Sequence, residues 1–166
     1  MNHKKGFTLT ELLAVVIILS ILTAIAVPQY TKAIKRAEAA NTLISLKAVF
    51  EAARRYRATH GTWPESFVGL DTKLLLNDGS TNTSGAFEYS FSSNMVRASR
   101  VGEDGAPSPY QLTARYKPAQ SHSEEYTCTY ATGLDRYKDL CESLCASDFN
   151  TARTCNINST STPAAS

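Results

Sequence analysis

Sixteen residues, Leu12 to Val27 (LLAVVIILSILTAIAV), run without a charge and hold eleven Leu, Ile or Val. A helix made of them is apolar on every side, so it has no face to turn to water and needs lipid or other apolar helices around it. At roughly −0.3 to −0.6 kcal/mol for each such residue, the run favours membrane insertion by about 5 kcal/mol. Counted from Phe7 the stretch is about 21 residues, which at the helical rise matches a hydrocarbon core about 30 Å thick. Glu11 stands in its first turns, and a carboxylate at the centre of a spanning helix costs roughly 3 kcal/mol. One charge near the end is outweighed, but its presence implies a partner.

A secretory signal peptide is the simplest rival. His3, Lys4 and Lys5 form a basic start, and Ala24-Ile25-Ala26 has the small-residue pattern of a cleavage site. Two features oppose it. Thr8, Thr10 and Glu11 have no use between a basic start and an apolar core. A spacing of three and four residues also continues past the site, through Tyr30, Ile34, Ala37, Asn41, Ile44, Ala48, Ala52 and Tyr56. One helix, apolar and then amphipathic, accounts for both, and Pro28 is expected to kink it by removing a backbone donor.

Charge is unevenly spread. Gln29 to Arg57 carries seven Lys or Arg against Glu38 and Glu51, whereas from Ala58 onward eight basic residues face twelve acidic ones. A basic stalk before an acidic head suits copies that pack stalk to head, and the formal charge of +2 is too small to announce a nucleic-acid binder. Lysines flank the apolar run on both sides, so the positive-inside rule does not orient it. The cysteines do: Cys128, Cys141, Cys145 and Cys155 cluster in the last quarter, as disulfides in an oxidising compartment would, which puts the head outside the cytoplasm. Four cysteines allow three pairings. Cys141 and Cys145 lie one turn apart on a predicted helix and do not converge, while that helix folding back brings Cys141 to Cys128, so Cys128–Cys141 and Cys145–Cys155 are expected.

The stalk is predicted to stop near Ala58, before Gly61 and Pro64. Phe67, Leu70 and Leu74 to Leu76 are available to pack under a sheet, and Asn77 to Gly85 reads as a polar loop. Alternation then marks four short strands around Phe87/Tyr89/Phe91, Met95 to Val101, Tyr110/Leu112/Ala114/Tyr116 and Tyr126/Cys128/Tyr130. Asp135 is expected to cap a short helix to Cys145 with Tyr137, Leu140, Cys141 and Leu144 inward. The fold class is therefore α+β: a long N-terminal helix on a four-stranded antiparallel sheet, with a disulfide-clasped C-terminal region. The boundaries expected are a leader at 1–6, an apolar helix at 7–28, its amphipathic half at 29–57, a globular head at 58–157 and a flexible Ser/Thr-rich tail at 158–166.

Chemistry-bearing motifs are scarce. No GxGxxG, Walker loop, HExxH or GxSxG occurs, so neither an enzyme nor a cofactor is expected. His60 and His122 read as solvated loop residues. The cysteine spacing is not that of a zinc ribbon, and no metal site is expected. Asn77-Asp78-Gly79-Ser80 lacks the later acidic ligands of a calcium loop, and Asn82 and Asn158 begin glycosylation sequons. Phe87, Tyr89, Tyr110 and Tyr116 suit core packing better than base stacking.

Lys4 to Leu13 (KKGFTLTELL), followed by an apolar run and Pro28, resembles the class III signal of type IV prepilins and of type II secretion pseudopilins. Gly6, Phe7, Leu9, Glu11, Leu12, Leu13, Pro28 and Tyr30 carry the likeness across about the first fifty residues, while Thr10 departs from the branched apolar residue usual there. The short leader and Phe7 are similar to the type IVa group. The resemblance implies that a prepilin peptidase cuts between Gly6 and Phe7 and methylates the new amine of Phe7. It also implies a single-pass inner-membrane precursor, held in the lipid bilayer and handed to a pilus assembly machinery. That machinery builds a helical homopolymer, an extracellular type IV pilus serving adhesion, twitching motility or DNA uptake. A pseudopilin and a minor tip pilin that binds DNA or a surface are the alternatives, and nothing in the sequence itself supports a nucleic-acid partner. Glu11 acquires a role by the same resemblance, as the residue that sets register during assembly.

Overall fold

The computed structural model describes residues 8–72, 81–84, 86–102, 106, 108–117, 124–146, 150 and 152–157, and divides into two units, Met1–Ala37 and Glu38–Ser166. Helix α1 (Leu9–His60) supplies the first unit and opens the second. In the first unit every side chain from Thr8 to Ile34 is exposed. The few hydroxyls there bond back along the helix: Ser20 to the Val16 carbonyl at 2.6 Å and Thr23 to that of Leu19 at 2.9 Å. Such back-bonding satisfies these two hydroxyls within the apolar helix. Pro28 lies inside α1, where it withholds the N–H that the Ala24 carbonyl would accept.

The second unit begins with the amphipathic part of α1. Ala39, Thr42, Leu46, Val49, Phe50 and Ala53 are buried at helical spacing and form one wall of the core. This corrects the sequence reading. Of the regular series from Tyr30 to Tyr56, Ala52 is buried, but most of the series marks a different face, and Ile44 is 67% exposed. Both series have the right period, and only the bulk of Leu46, Val49 and Phe50 says which one the head covers. The helix ends as expected of its sequence, on Gly61 in the left-handed region at φ 77°, whose N–H donates to the Arg57 carbonyl at 2.8 Å.

Six strands form one antiparallel sheet in sequence order: β1 (Thr81–Ser84), β2 (Phe87–Ser92), β3 (Met95–Arg100), β4 (Tyr110–Tyr116), β5 (Glu124–Tyr130) and β6 (Thr154–Asn156). The four expected strands are the central β2 to β5, and the count of four is corrected by an edge strand on each side. β1 lies in the stretch expected to be a polar loop. Its sequence, TNTS, has no apolar residue to alternate, so only pairing with β2 reveals it. β6 spans three residues, too few for a period, and pairs with β5 at Cys128↔Cys155. The β2–β3 hairpin turns at Ser93-Asn94, with Ser93 at φ 50° as a two-residue turn demands. Asn94 fastens the turn to β4, its Nδ2 donating to the Tyr116 carbonyl at 2.6 Å.

One sheet face carries Phe87, Tyr89, Val96, Ala98, Tyr110, Leu112, Ala114, Tyr126 and Cys128, all buried in the same core as Phe50 and Leu46. Aromatic contacts join the layers: Phe50 lies 5.9 Å from Trp63 and meets Tyr126 edge-on at 6.0 Å. Arg57 sits over both Trp63 and Tyr116, at 5.1 and 4.7 Å from the ring centres. Arg100 reaches Glu38 at 2.7 Å, and Arg54 bonds Glu124. Phe67 is buried against Phe91, whereas Leu74 to Leu76 lie outside the described residues. Asp135 opens a 3-10 turn (Asp135–Tyr137) rather than capping it; Leu134 holds the cap position, with no side-chain bond, and α2 (Lys138–Glu142) follows.

Phe50→Ala removes a fully buried ring that contacts both Trp63 and Tyr126 and should cost about 3 to 5 kcal/mol in denaturant unfolding of the head, whereas Ile44→Ser should change it by under about 0.5 kcal/mol. Alkaline pH should also weaken the head. Burial pushes the Tyr110 phenol up to about 12, an effect that the nearby Arg100 only partly opposes, and burial raises Tyr89 and Tyr126 as well. The unfolded chain ionises these groups near pH 10 while the folded one keeps its protons, so stability is full below pH 10 and falls as pH rises toward 12. At pH 11 the loss from Tyr110 alone is about 1 kcal/mol, readable as a lower melting temperature.

Candidate functional site

The start of α1 answers part of the question raised by Glu11. Thr8 precedes the helix, and its hydroxyl accepts from the Glu11 N–H at 3.3 Å. Glu11 reaches back in return: its Oε2 accepts from the Thr8 N–H and from the Thr8 hydroxyl, both at 2.8 Å. This reciprocal arrangement is a capping box, which satisfies helix donors that would otherwise be bare, and a negative charge in a first turn also complements the helix dipole. Such a cap contributes about 1 kcal/mol. Both bonds from Thr8 end on Oε2, and among the described residues no bond reaches Oε1. Thr8 is the functional residue that the sequence reading passed over. Its signal was legible, since Thr-x-x-Glu ahead of an apolar run is the sequence form of a capping box.

Beyond the cap, α1 contains an 18-residue window of mean hydropathy 2.5, none of it buried within the described residues. By length and composition this helix can cross a membrane. Leu12, Leu13 and Ile18 are each more than half exposed and project in directions roughly a third of a turn apart, so the apolar surface goes all the way round.

Residues 1–27 match the family model of the prokaryotic N-terminal methylation motif. The chain carries that motif. Gly6 and Phe7, the expected cleavage and methylation positions, fall within the matched stretch but outside the described residues. The chain is also homologous to type IV pilins. It is 38% identical over 63 residues to the type IV major pilin protein PilE1 of Neisseria gonorrhoeae, covering 38% of each chain. A fimbrial protein of Neisseria meningitidis serogroup A is 36% identical over 63 residues, 38% of this chain and 37% of that one. The type IV major fimbrial protein FimA of Dichelobacter nodosus is 33% identical over 111 residues, 67% of this chain and 64% of that protein. The matched part thus spans under two-fifths of the neisserial proteins.

The homology with FimA extends beyond the methylation motif and α1 into the head, whose C-terminal end is closed by two disulfides. Cys128 is joined to Cys141 with 5.6 Å between Cα atoms, and Cys145 to Cys155 with 5.9 Å. Cys128 and Cys155 are cross-strand neighbours on β5 and β6, and each bonds not to the other but to a cysteine of the α2 region. Two bridges side by side therefore staple α2 to the last two strands. His60 is exposed as expected, but it stacks on Tyr56 at 4.1 Å and its Nδ1 lies 2.7 Å from the Thr59 hydroxyl. Phe87, Tyr89 and Tyr110 are core residues, while His122 and both sequon asparagines supply no described side chain.

Each bridge closes a loop of 13 or 10 residues and should contribute about 3 kcal/mol, so Cys128→Ser with Cys141→Ser should lower head stability by roughly that amount. Non-reducing peptide mapping should recover Cys128 with Cys141 and Cys145 with Cys155; a Cys128–Cys155 peptide would contradict this pairing.

Proposed function

We propose that this chain is a non-catalytic structural subunit, the major pilin of a type IV pilus, and that its apolar helix is the assembly element. The observation that carries the reading is the uncovered apolar helix that begins inside a methylation motif. Lipid covers it in a precursor cut by a prepilin peptidase between Gly6 and Phe7, with the head outside the cytoplasm. In the filament the same surface is covered by helices of other copies, with Pro28 bending each helix as it joins the bundle. Cleavage removes Lys4 and Lys5 and leaves fifteen basic and fifteen acidic side chains, a balance compatible with dense self-packing.

Glu11 works in two steps in this scheme. Before assembly Thr8 holds its Oε2, so the carboxylate is never bare in lipid. When subunits stagger along the filament, the methylated amine of Phe7 on an incoming copy approaches Oε1 of one already placed, and the cap need not break. A charge left unpaired in that apolar bundle costs several kcal/mol, so only one axial offset is tolerated. The pair selects register more than it adds strength.

Two variants test this. Gly6→Val should leave uncleaved precursor in the membrane, seen by mass determination; a mature chain starting at Phe7 in that variant sinks the assignment. Glu11→Gln keeps a capping-box acceptor but loses the charge. It should insert and be cleaved normally yet reduce sheared filaments by at least tenfold. Normal filament yield would mean that capping is the whole role of Glu11.

A further inference from the structure

The sheet has a second face that the core does not use. Alternation along the strands places Arg97 and Ser99 of β3, Gln111, Thr113 and Arg115 of β4, and Thr127 and Thr129 of β5 on it, opposite the aromatic side. All of these except Ser99, together with Asn156 of β6, line a groove of about 400 Å³. Its electrostatics are unusual for this head. From Ala58 onward acidic residues outnumber basic ones twelve to eight, yet the groove gathers Arg97, Arg115 and Lys117 against Glu125 alone. Glu125 is already bonded to Lys117, at 2.8 Å.

Among the described residues neither Arg97 nor Arg115 makes an ion pair, and their Nη2 atoms converge on one weak acceptor, the Met95 sulfur, at 4.0 and 3.8 Å. The Nε of Arg97 is buried without a partner. Two like charges drawn together over a thioether, with a buried donor unused, form an arrangement that an oxyanion completes, since a guanidinium recognises one through paired N–H bonds. The groove walls decide what carries that oxyanion. They hold no aromatic residue for base stacking, and the net charge of the head opposes a dense polyphosphate. Hydroxyl and amide side chains instead offer donors and acceptors together, matching a chain of sugar hydroxyls.

We propose that this groove binds an acidic polysaccharide, holding a uronate or sulfate group between Arg97 and Arg115 while Gln111, Thr127, Thr129 and Asn156 bond the sugar hydroxyls. Repetition of the groove along a polymer of this chain would multiply a weak single contact into firm attachment. The assignment does not depend on that polymer, because one chain contains the whole site.

The full chain in detergent micelles can be tested against immobilised polygalacturonate, heparin, neutral dextran and random-sequence duplex DNA at low ionic strength. Polygalacturonate, heparin or both should bind, with the stronger of the two identifying the anion, and dextran should not. Arg97→Gln with Arg115→Gln should weaken binding at least tenfold while the circular-dichroism melting curve stays in place. Should the double variant melt early, Arg115→Gln alone decides, because that side chain is exposed, and a loss of threefold or more is expected. Unchanged binding in that variant, equal binding of dextran, tighter binding of DNA than of either acidic sugar, or no binding at all would overturn the proposal.

Discussion

An apolar surface with no cover inside its own chain governs the rest of this molecule. From Leu9 to Val27 helix α1 offers Leu, Ile and Val on all sides, and all of them are exposed among the described residues. Water is excluded as a lasting environment by the same roughly 5 kcal/mol that favours insertion. Two surroundings remain, lipid and other apolar helices, and they differ little in polarity. Exchange between them is therefore governed less by hydrophobicity than by the polar groups that the helix must carry along. The hydroxyls of Ser20 and Thr23 are neutralised by bonds to their own backbone, which leaves Glu11 as the group whose needs distinguish one surrounding from the other.

The second part of α1 meets the opposite condition. There the chain supplies its own cover, a sheet whose inner face is dense in aromatic rings around Phe50 and Leu46. α1 thus passes from the uncovered kind of surface to the covered kind without a change of secondary structure. The sheet edges need help in such a small domain. β6 has three residues and would fray as an isolated strand, but Cys155 ties it to Cys145 while Cys128, its neighbour on β5, is tied to Cys141. The disulfides thus secure the end of the sheet where the ladder is shortest.

What was legible in the sequence followed from how strongly a period was written. The apolar run and the aromatic-bearing strands β2, β4 and β5 repeat clearly, β3 less so, and all appear where the sequence placed them. β1 and β6 were not legible because TNTS and TCN depend on a neighbour rather than on a pattern of their own. The buried face of α1 was misread for a subtler reason. Small residues such as Ala37, Ala40, Ala48 and Ala52 recur on more than one face, and period alone cannot rank faces that differ by the volume of two or three side chains. Asp135 looked like a cap because its type favours caps, but the Leu134 backbone takes that position and the acid falls one place inside the turn. At Glu11 the sequence posed the right question and hid half the answer in Thr8, since attention to the charge obscured the commonplace hydrogen bonds beside it.

The sheet shows the same economy in its two faces. Alternation in β4 sends Leu112 and Ala114 to the core and Gln111, Thr113 and Arg115 to the other side, so each core contact fixes the position of a polar neighbour. A rigid inner face is what allows an outer one to be organised without internal partners. Val96 and Ala98, both fully buried, fix the backbone of Arg97, while its side chain rests on the Met95 sulfur with its Nε buried. A surface arginine free to move would lose its donors' alignment, whereas one restrained at both ends keeps them set at a lower entropic cost when a ligand arrives. The core that lets the head cover half of α1 therefore also pre-organises the groove on its back.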